Sequence, residues 1–169
     1  PLIVDQRVAK VVFTGSTGGG KRIMEMCSTN LARVTLELGG NDPAILLEDV
    51  ELNEKSFGRL VAAGFLTTGQ VCMAMKRLYV HSSRYDEVVD GLSSALSQYR
   101  IGHGLDPQTT MGPLNSKAQR DYVVQLRKEA EAAGYEVREF GTLSNEAAAG
   151  DGYFLKPSLV LDPDPSLAV

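Results

Sequence analysis

The sequence predicts an α/β fold with a parallel sheet. Short β-branched or aliphatic runs alternate along the chain with longer stretches whose apolar residues recur at helical spacing. Glycines or prolines lie at many of the junctions, where they end one element and allow the next to begin. Such alternation is typical of parallel strands that are connected by helices.

The first part of the chain has the pattern of a strand, a glycine-rich loop and a helix, followed by two more strands. Val11-Val12-Phe13 suits a buried strand, and Ile23, Met24 and Cys27 share one face of the helix that follows. The predicted elements are a strand over 8–14, a loop over 15–20, a helix over 21–28, strands over 33–38 and 44–47, and a turn at 41–43.

The second part alternates helices and strands again. Ser83 with Asp86, and Ser116 with Gln119, have the spacing of helix-capping pairs. Pro157 interrupts the last apolar run, because proline cannot donate to a strand ladder. The predicted elements are helices over 53–66, 83–99 and 116–134, strands over 77–80, 135–140 and 153–161, a loop over 102–113 and an exposed polar stretch over 142–152.

Composition excludes several classes of function. The 169 residues are 43% hydrophobic, which suits one ordinary domain with its own core. The chain has seventeen basic and twenty-one acidic residues. The basic residues form no cluster, so nucleic-acid binding is not expected. No apolar run is long enough to span a bilayer, and a cytoplasmic location is the default. Two cysteines and two histidines favour neither a disulfide scaffold nor a metal site.

Cys72 is a candidate nucleophile. It follows Gly69-Gln70-Val71 directly, and backbone N–H groups next to a glycine can point at a developing oxyanion. The alternative is that Cys72 is a small buried hydrophobic residue, which is also the interpretation that fits Cys27 best. A third possibility is a thiol hydrolase in which His81 or His103 acts as the base.

Glu37 is a candidate general base. It lies between Leu36 and Leu38 at the end of an apolar strand, where burial would penalise its charge unless the side chain faces a wet cleft. A carboxylate in such a half-dry place can accept a proton from water. The alternative is an edge residue that is paired to a lysine.

Gly15 to Gly20 is a candidate phosphate-binding segment. It joins a predicted strand to a predicted helix, and free N–H groups at a helix start carry partial positive charge. It matches neither the P-loop nor the dinucleotide fingerprint, so a tight turn made of glycines is the alternative.

Three motifs occur in a fixed order along the chain: Phe13-Thr14-Gly15-Ser16-Thr17 with Gly20, Leu36-Glu37-Leu38-Gly39-Gly40, and Gly69-Gln70-Val71-Cys72. Together they resemble the NAD(P)-dependent aldehyde dehydrogenase superfamily. Two more segments, Asp106-Pro107 with Met111-Gly112-Pro113-Leu114 and Gly152-Tyr153-Phe154 with Pro157, extend the resemblance over essentially the whole chain.

The resemblance implies an oxidation of an aldehyde to a carboxylic acid with NAD or NADP. Cys72 would attack the carbonyl to give a thiohemiacetal and then a thioester, and Glu37 would activate the water that hydrolyses it. The amide of Cys72 would supply part of the oxyanion hole. The residues implied to lie near the cofactor are Gly15, Ser16, Thr17, Gly20 and Leu38.

The resemblance also implies a domain division and a fragment. Residues 1–40 would be the end of the dinucleotide-binding domain and residues 41–169 the first part of the catalytic domain, so the family's fold would be incomplete at both ends. Family members commonly have asparagine near Thr67 or Thr68 and lysine at Asn41, so local support of the site differs here. A full-length member would form a homo-oligomer, a dimer or tetramer.

One further expectation and two alternatives concern the chain as a whole. The chain alone is expected to turn over poorly, because hydride transfer needs the nicotinamide held against Cys72. It could instead be a non-catalytic piece that assembles through exposed sheet edges. Release of the thioester to coenzyme A rather than water is a variant within the family, and the presence of Glu37 favours water.

Overall fold

The computed structural model describes residues 2–148, 150 and 152–167. It divides into two compact units: the first comprises Pro1–Asn41 with Val71–Met73, and the second comprises Asp42–Gln70 with Ala74–Val169. The mixture of helices with parallel strand pairs confirms the predicted α/β class. The assignment of these parts to a cofactor domain and a catalytic domain stays a prediction.

The first unit is a strand–helix–strand arrangement. Strand β1 (Lys10–Gly15) pairs in parallel with strand β2 (Arg33–Leu38), and helix α1 (Thr17–Cys27) connects them. The register sets Gly15 opposite Leu38, so the carboxyl ends of both strands coincide. Both predicted strands are confirmed, with β1 shifted toward its glycine.

The predicted glycine loop is wrong in extent, because α1 begins at Thr17 rather than Lys21. Ser16 is the N-cap, and its Oγ accepts a hydrogen bond from the amide of Gly19 at 3.1 Å. The cap outweighs the low helix propensity of three consecutive glycines. Met24, predicted to share the core face with Cys27, is 55% exposed.

The second unit begins with strand β3 (Asp42–Leu46), which pairs in parallel with strand β4 (Met75–Val80). Helix α2 (Glu54–Phe65) and a short 3₁₀ helix (Leu66–Gly69) connect the two strands. The predicted turn at 41–43 is wrong, since Asp42 and Pro43 already belong to β3. The register shifts between these two residues, as an irregularity beside a proline allows.

Helix α3 (Tyr85–Ser97) packs against α2 and carries much of the core. Val88, Leu92 and Leu96, which share one face of the helix, are buried and cluster with Val61 of α2. The predicted Ser83 cap is wrong, because Ser82–Arg84 form a 3₁₀ turn before α3. The imidazole of His81 accepts from the amide of Ser83 there.

Helix α4 (Lys117–Ala132) begins where the sequence predicts. The Oγ of its N-cap Ser116 accepts from the amide of Gln119 at 3.3 Å, and Gly134 follows its end at a φ of 90°. A positive φ of this kind is ordinary for glycine and ends the helix.

The strands around α4 are shorter than predicted, and one pair is antiparallel. The exposed stretch predicted over 142–152 instead contains a strand and a helical turn with Ala147 buried, while residues 149 and 151 lie outside the described residues. Parallel pairing joins β5 to β7, and antiparallel pairing joins β6 to β8. These elements are β5 (Arg100–Ile101), β6 (Val137–Glu139), β7 (Thr142–Leu143), α5 (Asn145–Ala148) and β8 (Ser158–Val160).

Candidate active site

Cys72 is exposed to solvent, whereas Cys27 is buried in the first unit at 2% exposure. The interpretation of Cys72 as a small buried hydrophobic residue is therefore wrong, and the same interpretation of Cys27 is confirmed. Exposure is what a thiol needs to reach a substrate in solution. Of the two thiols, only that of Cys72 is available for chemistry in the folded chain.

Glu37 is the penultimate residue of β2, directly opposite Thr14 in the parallel register. Its side chain is exposed, whereas the flanking leucines predicted a partly buried carboxylate. Within the described part of the chain, it forms no ion pair with a lysine, so the paired-edge alternative finds no support. The carboxylate is accessible to solvent.

The segment that carries Cys72 belongs to the same compact unit as Glu37. Val71–Met73 groups with Pro1–Asn41, although the residues on both sides of it belong to the second unit. The chain therefore returns to the first unit for three residues only, and Cys72 is the middle one. Nothing in the local sequence pattern predicts this return.

The turn that leads to Cys72 has an unusual backbone. Thr67, Thr68 and Gly69 have φ values of 53°, 59° and 70°, three consecutive residues in the left-handed region. Glycine adopts this conformation freely, but a β-branched residue adopts it rarely because Cβ meets the backbone. Sequence reasoning missed this feature, although the asparagine common in the family near these positions was a usable signal.

Side-chain hydrogen bonds hold the strained turn. The amide of Asn115 donates to Gln70 Oε1 at 2.9 Å, and Gln70 Nε2 donates to the carbonyl of Thr67 at 3.3 Å. Thr68 Oγ1 donates to the carbonyl of Gly112 at 3.3 Å. The segment 112–115 and the turn therefore hold each other, and strain of this kind persists only where surrounding contacts over-determine it.

Lys76 makes a further contact with the turn. Its Nζ donates to the carbonyl of Gly69 at 2.5 Å. Desolvation lowers the pKa of the Lys76 ammonium below its ordinary value, although the residue as a whole is exposed. No local sequence pattern distinguishes Lys76 from the other lysines.

The start of α1 fits an anionic group such as a cofactor pyrophosphate. Its first turn contains no acidic residue, and Ser16 satisfies the amide of Gly19. A methyl group added at Gly18 would meet no atom within 4 Å, so the space beside the first turn is open. The remaining N–H groups of the first turn carry the positive end of the helix dipole.

Gly20 serves packing as well. A Cβ there would lie 2.9 Å from Leu38 Cδ2, so the absence of a side chain allows α1 to approach β2 closely. Gly20 is buried inside the helix, while Gly15, Ser16 and Thr17 are exposed where the strand ends and the helix begins. Among the residues implied near the cofactor, the exposed three can meet a ligand, and Gly20 and Leu38 shape the backbone beneath them.

The two histidines are engaged locally. His81 Nδ1 lies 2.9 Å from Ser83 Oγ, and His103 Nδ1 accepts from the amide of Leu105 at 3.3 Å. These bonds occupy the same ring nitrogen in each histidine. Within the described residues, neither imidazole forms a hydrogen bond to a thiol.

In the part of the chain that the structure describes, no three His, Cys, Asp or Glu side chains come together as a metal site. Within those same residues, every helix is too short or too polar to cross a bilayer.

The chain belongs to the aldehyde dehydrogenase family, whose sequence model matches residues 1–169. It is 38% identical over 163 residues to the geranial dehydrogenase of Castellaniella defragrans, covering 96% of this chain and 33% of that protein. It is also 38% identical over 161 residues to the succinate-semialdehyde dehydrogenase [NADP(+)] 1 of Schizosaccharomyces pombe, covering 95% and 32%. The predicted resemblance is confirmed.

Solved structures agree. The aldehyde dehydrogenase from Bacillus cereus, determined as its NAD+ complex, superimposes with a TM-score of 0.88 at 34% identity over 98% of this chain and 33% of that one. The chain thus spans about a third of the length of the relatives it matches. Both NAD+ and NADP(+) occur in the names of these proteins, in agreement with the expected NAD or NADP cofactor.

Proposed function

We propose that this chain is part of an NAD(P)-dependent aldehyde dehydrogenase in which Cys72 is the nucleophile and Glu37 the general base. The observation that carries the proposal is the grouping of the exposed Cys72 segment with the unit that contains Glu37. Membership of the family supports the reaction class. The open first turn of α1 supports the binding of an anionic cofactor.

The first half of the reaction depends on Cys72. The thiolate adds to the aldehyde carbonyl, a C–S bond forms, and the oxygen takes the negative charge of a thiohemiacetal. The backbone N–H of Cys72 donates to that oxygen. NAD or NADP would supply the hydride acceptor when bound, and Gly15, Ser16 and Thr17 would hold its phosphates. Loss of hydride leaves a thioester on Cys72.

The second half depends on Glu37. Its carboxylate accepts a proton from water as the water oxygen attacks the thioester carbonyl, and the C–S bond breaks to release the carboxylic acid and the thiolate. The exposure of Glu37 gives water direct access. The balance is one aldehyde, one oxidised cofactor and one water converted to one acid, one reduced cofactor and one proton.

An activated ester tests both roles without cofactor. With p-nitrophenyl acetate in excess, we expect the wild-type chain to release a burst of one equivalent of p-nitrophenol and then continue at a steady rate. Glu37→Gln should keep the burst and lower the steady rate by about 100-fold, the scale of a general base. Cys72→Ser should lose both phases.

Controls make the result specific. Cys27→Ser should behave as wild type, because the Cys27 thiol is buried. A steady rate unaffected by Glu37→Gln would contradict the proposed base. Full activity after replacement of both His81 and His103 is expected, and its loss would instead favour the thiol hydrolase.

The substrate is proposed as an aldehyde of unspecified class, since the relatives are named for aldehydes as different as geranial and succinate semialdehyde. Following reduced-cofactor formation at 340 nm with a panel of aldehydes tests turnover by the chain alone, which we expect to be weak. Water rather than coenzyme A as the acceptor, a dimer or tetramer, and a cytoplasmic location stay predictions.

A further inference from the structure

Lys76 closes the segment that carries Cys72. Its Nζ donates to the carbonyl of Gly69 at 2.5 Å, and this contact spans seven positions of the chain. Cys72 lies between the two ends of that span. One side chain therefore ties the beginning of the segment, at the end of the left-handed turn, to its end in β4.

The contact is of a strong type. An ammonium donating to a carbonyl is a charge-assisted hydrogen bond, stronger than a bond between neutral groups. Its acceptor belongs to Gly69, whose φ of 70° ends the run of left-handed residues. A Cβ at Gly69 would lie 3.1 Å from both the Lys76 Nζ and the carbonyl oxygen of Gly64, so the turn is enclosed on two sides.

The other side-chain hydrogen bonds of the turn do not reach residues 73–76. Gln70 and Thr68 bind the turn to segment 112–115, but both act upstream of Cys72. Among the described residues of segment 69–76, Lys76 makes the one side-chain hydrogen bond that joins the chain before Cys72 to the chain after it. Helix α2 also packs against both the 3₁₀ helix and β4, and the Lys76 bond adds a direct polar link between the two ends of the segment.

We propose that Lys76 is a positioning residue for the acyl-transfer step: by closing the segment from Gly69 to Lys76, it fixes the backbone amide of Cys72 where the developing oxyanion forms. The inference rests on the proposed function of Cys72 as nucleophile. It concerns orientation of the amide rather than contact of Lys76 with the substrate. A small displacement of a donor from the oxyanion costs a large factor in rate.

Two reagents separate positioning from general access to the thiol. Acylation by p-nitrophenyl acetate develops an oxyanion, whereas alkylation by iodoacetamide displaces iodide at a saturated carbon and develops none. We expect Lys76→Met to lower the acylation rate constant of Cys72 about tenfold and to leave its alkylation rate constant unchanged. Both are followed by intact-mass spectrometry in a Cys27→Ser background.

Three further measurements complete the test. Lys76→Arg retains a cationic donor and should restore most of the acylation rate. Lys128→Met, at an exposed lysine of α4, is the matched control and should change neither rate. A circular dichroism melt of each variant verifies that it is folded at the assay temperature.

The outcomes distinguish this inference from the function on which it rests. Unchanged acylation in Lys76→Met, an equal fall of both rate constants, or failure of Lys76→Arg to restore acylation would each overturn the positioning role. If Lys76→Met does not fold, Lys76→Gln decides: its shorter, uncharged side chain loses the charge-assisted bond, so slower acylation with unchanged alkylation supports the role and acylation at the wild-type rate overturns it. A wild-type chain whose Cys72 resists acylation contradicts the proposed function as well.

Discussion

At the scale of single residues, the proposed chemistry depends on where two side chains lie. Cys72 and Glu37 are both exposed and belong to one compact unit, whereas the chemically identical thiol of Cys27 is buried. Residue type and flanking glycines indicated Cys72 as a nucleophile, but only the fold distinguishes it from a core cysteine. The left-handed Thr67 and Thr68 were not predictable from propensity, because threonine disfavours that conformation.

The strained turn predicts a stabilising substitution. Thr67 is exposed and its side chain makes no hydrogen bond within the described residues, so Thr67→Asn should cost no contact. Because asparagine tolerates the left-handed region better than threonine, we expect the free energy of unfolding to rise by about 1 kcal/mol. Urea denaturation followed by circular dichroism measures the change.

A neighbouring variant serves as the control. Thr68→Gly also relieves a positive φ, but it removes the hydroxyl that donates to the carbonyl of Gly112. The lost hydrogen bond offsets the relief, so little net change is expected. If the free energy of unfolding rises as much for Thr68→Gly as for Thr67→Asn, the hydroxyl contact of Thr68 adds no stability.

At the scale of elements, helix starts were predictable where a capping side chain is present. Ser116 caps α4 as its spacing to Gln119 predicted, and Asn53, the first residue of the predicted helix over 53–66, caps α2. Ser16 is a cap too, but the glycines after it hid the start of α1 from a reading based on propensity. The packing of α3 depends on Gly91, which neither apolar periodicity nor a capping signal marks in the sequence.

Gly91 allows α3 to approach the ring of Phe57. A Cβ at position 91 would lie 2.1 Å from Phe57 Cζ, so the ring, which packs against the buried cluster, must move. We expect Gly91→Ala to lower the free energy of unfolding by about 2 kcal/mol, because overpacking outweighs the better helix propensity of alanine. Thermal and urea unfolding check this result.

The matched control is Gly58→Ala in α2. A Cβ at Gly58 meets no atom within 4 Å, and the residue is exposed. There the helix propensity acts alone, and the free energy of unfolding should rise by about 1 kcal/mol. If Gly91→Ala and Gly58→Ala change the free energy of unfolding in the same direction, the packing explanation is contradicted.

At the scale of the whole molecule, the apolar core is unevenly distributed. The cluster around Val88, Leu92 and Leu96 belongs to the second unit. In the described part of the first unit, only Gly20 and Cys27 are fully buried, and its sheet has two strands. Two-stranded sheets with little buried apolar surface are marginally stable.

This difference predicts unequal local stability. In native-state hydrogen exchange followed by mass spectrometry, amides of α3 should exchange slowest, and those of β1 and β2 should exchange earlier. The prediction concerns the isolated chain at neutral pH. Equal protection of α3 and β2 would mean that the two units unfold as one.

The sequence by itself determined the family, the α/β class, the order of most elements and the residue types available for catalysis, because periodicity, capping signals and ordered motifs are local properties. Tertiary structure decided that Cys72 is exposed while Cys27 is buried, and that Val71–Met73 joins the unit of Glu37. It also decided the antiparallel pairing of β6 with β8. These features depend on contacts between residues far apart in the chain, which no local pattern records.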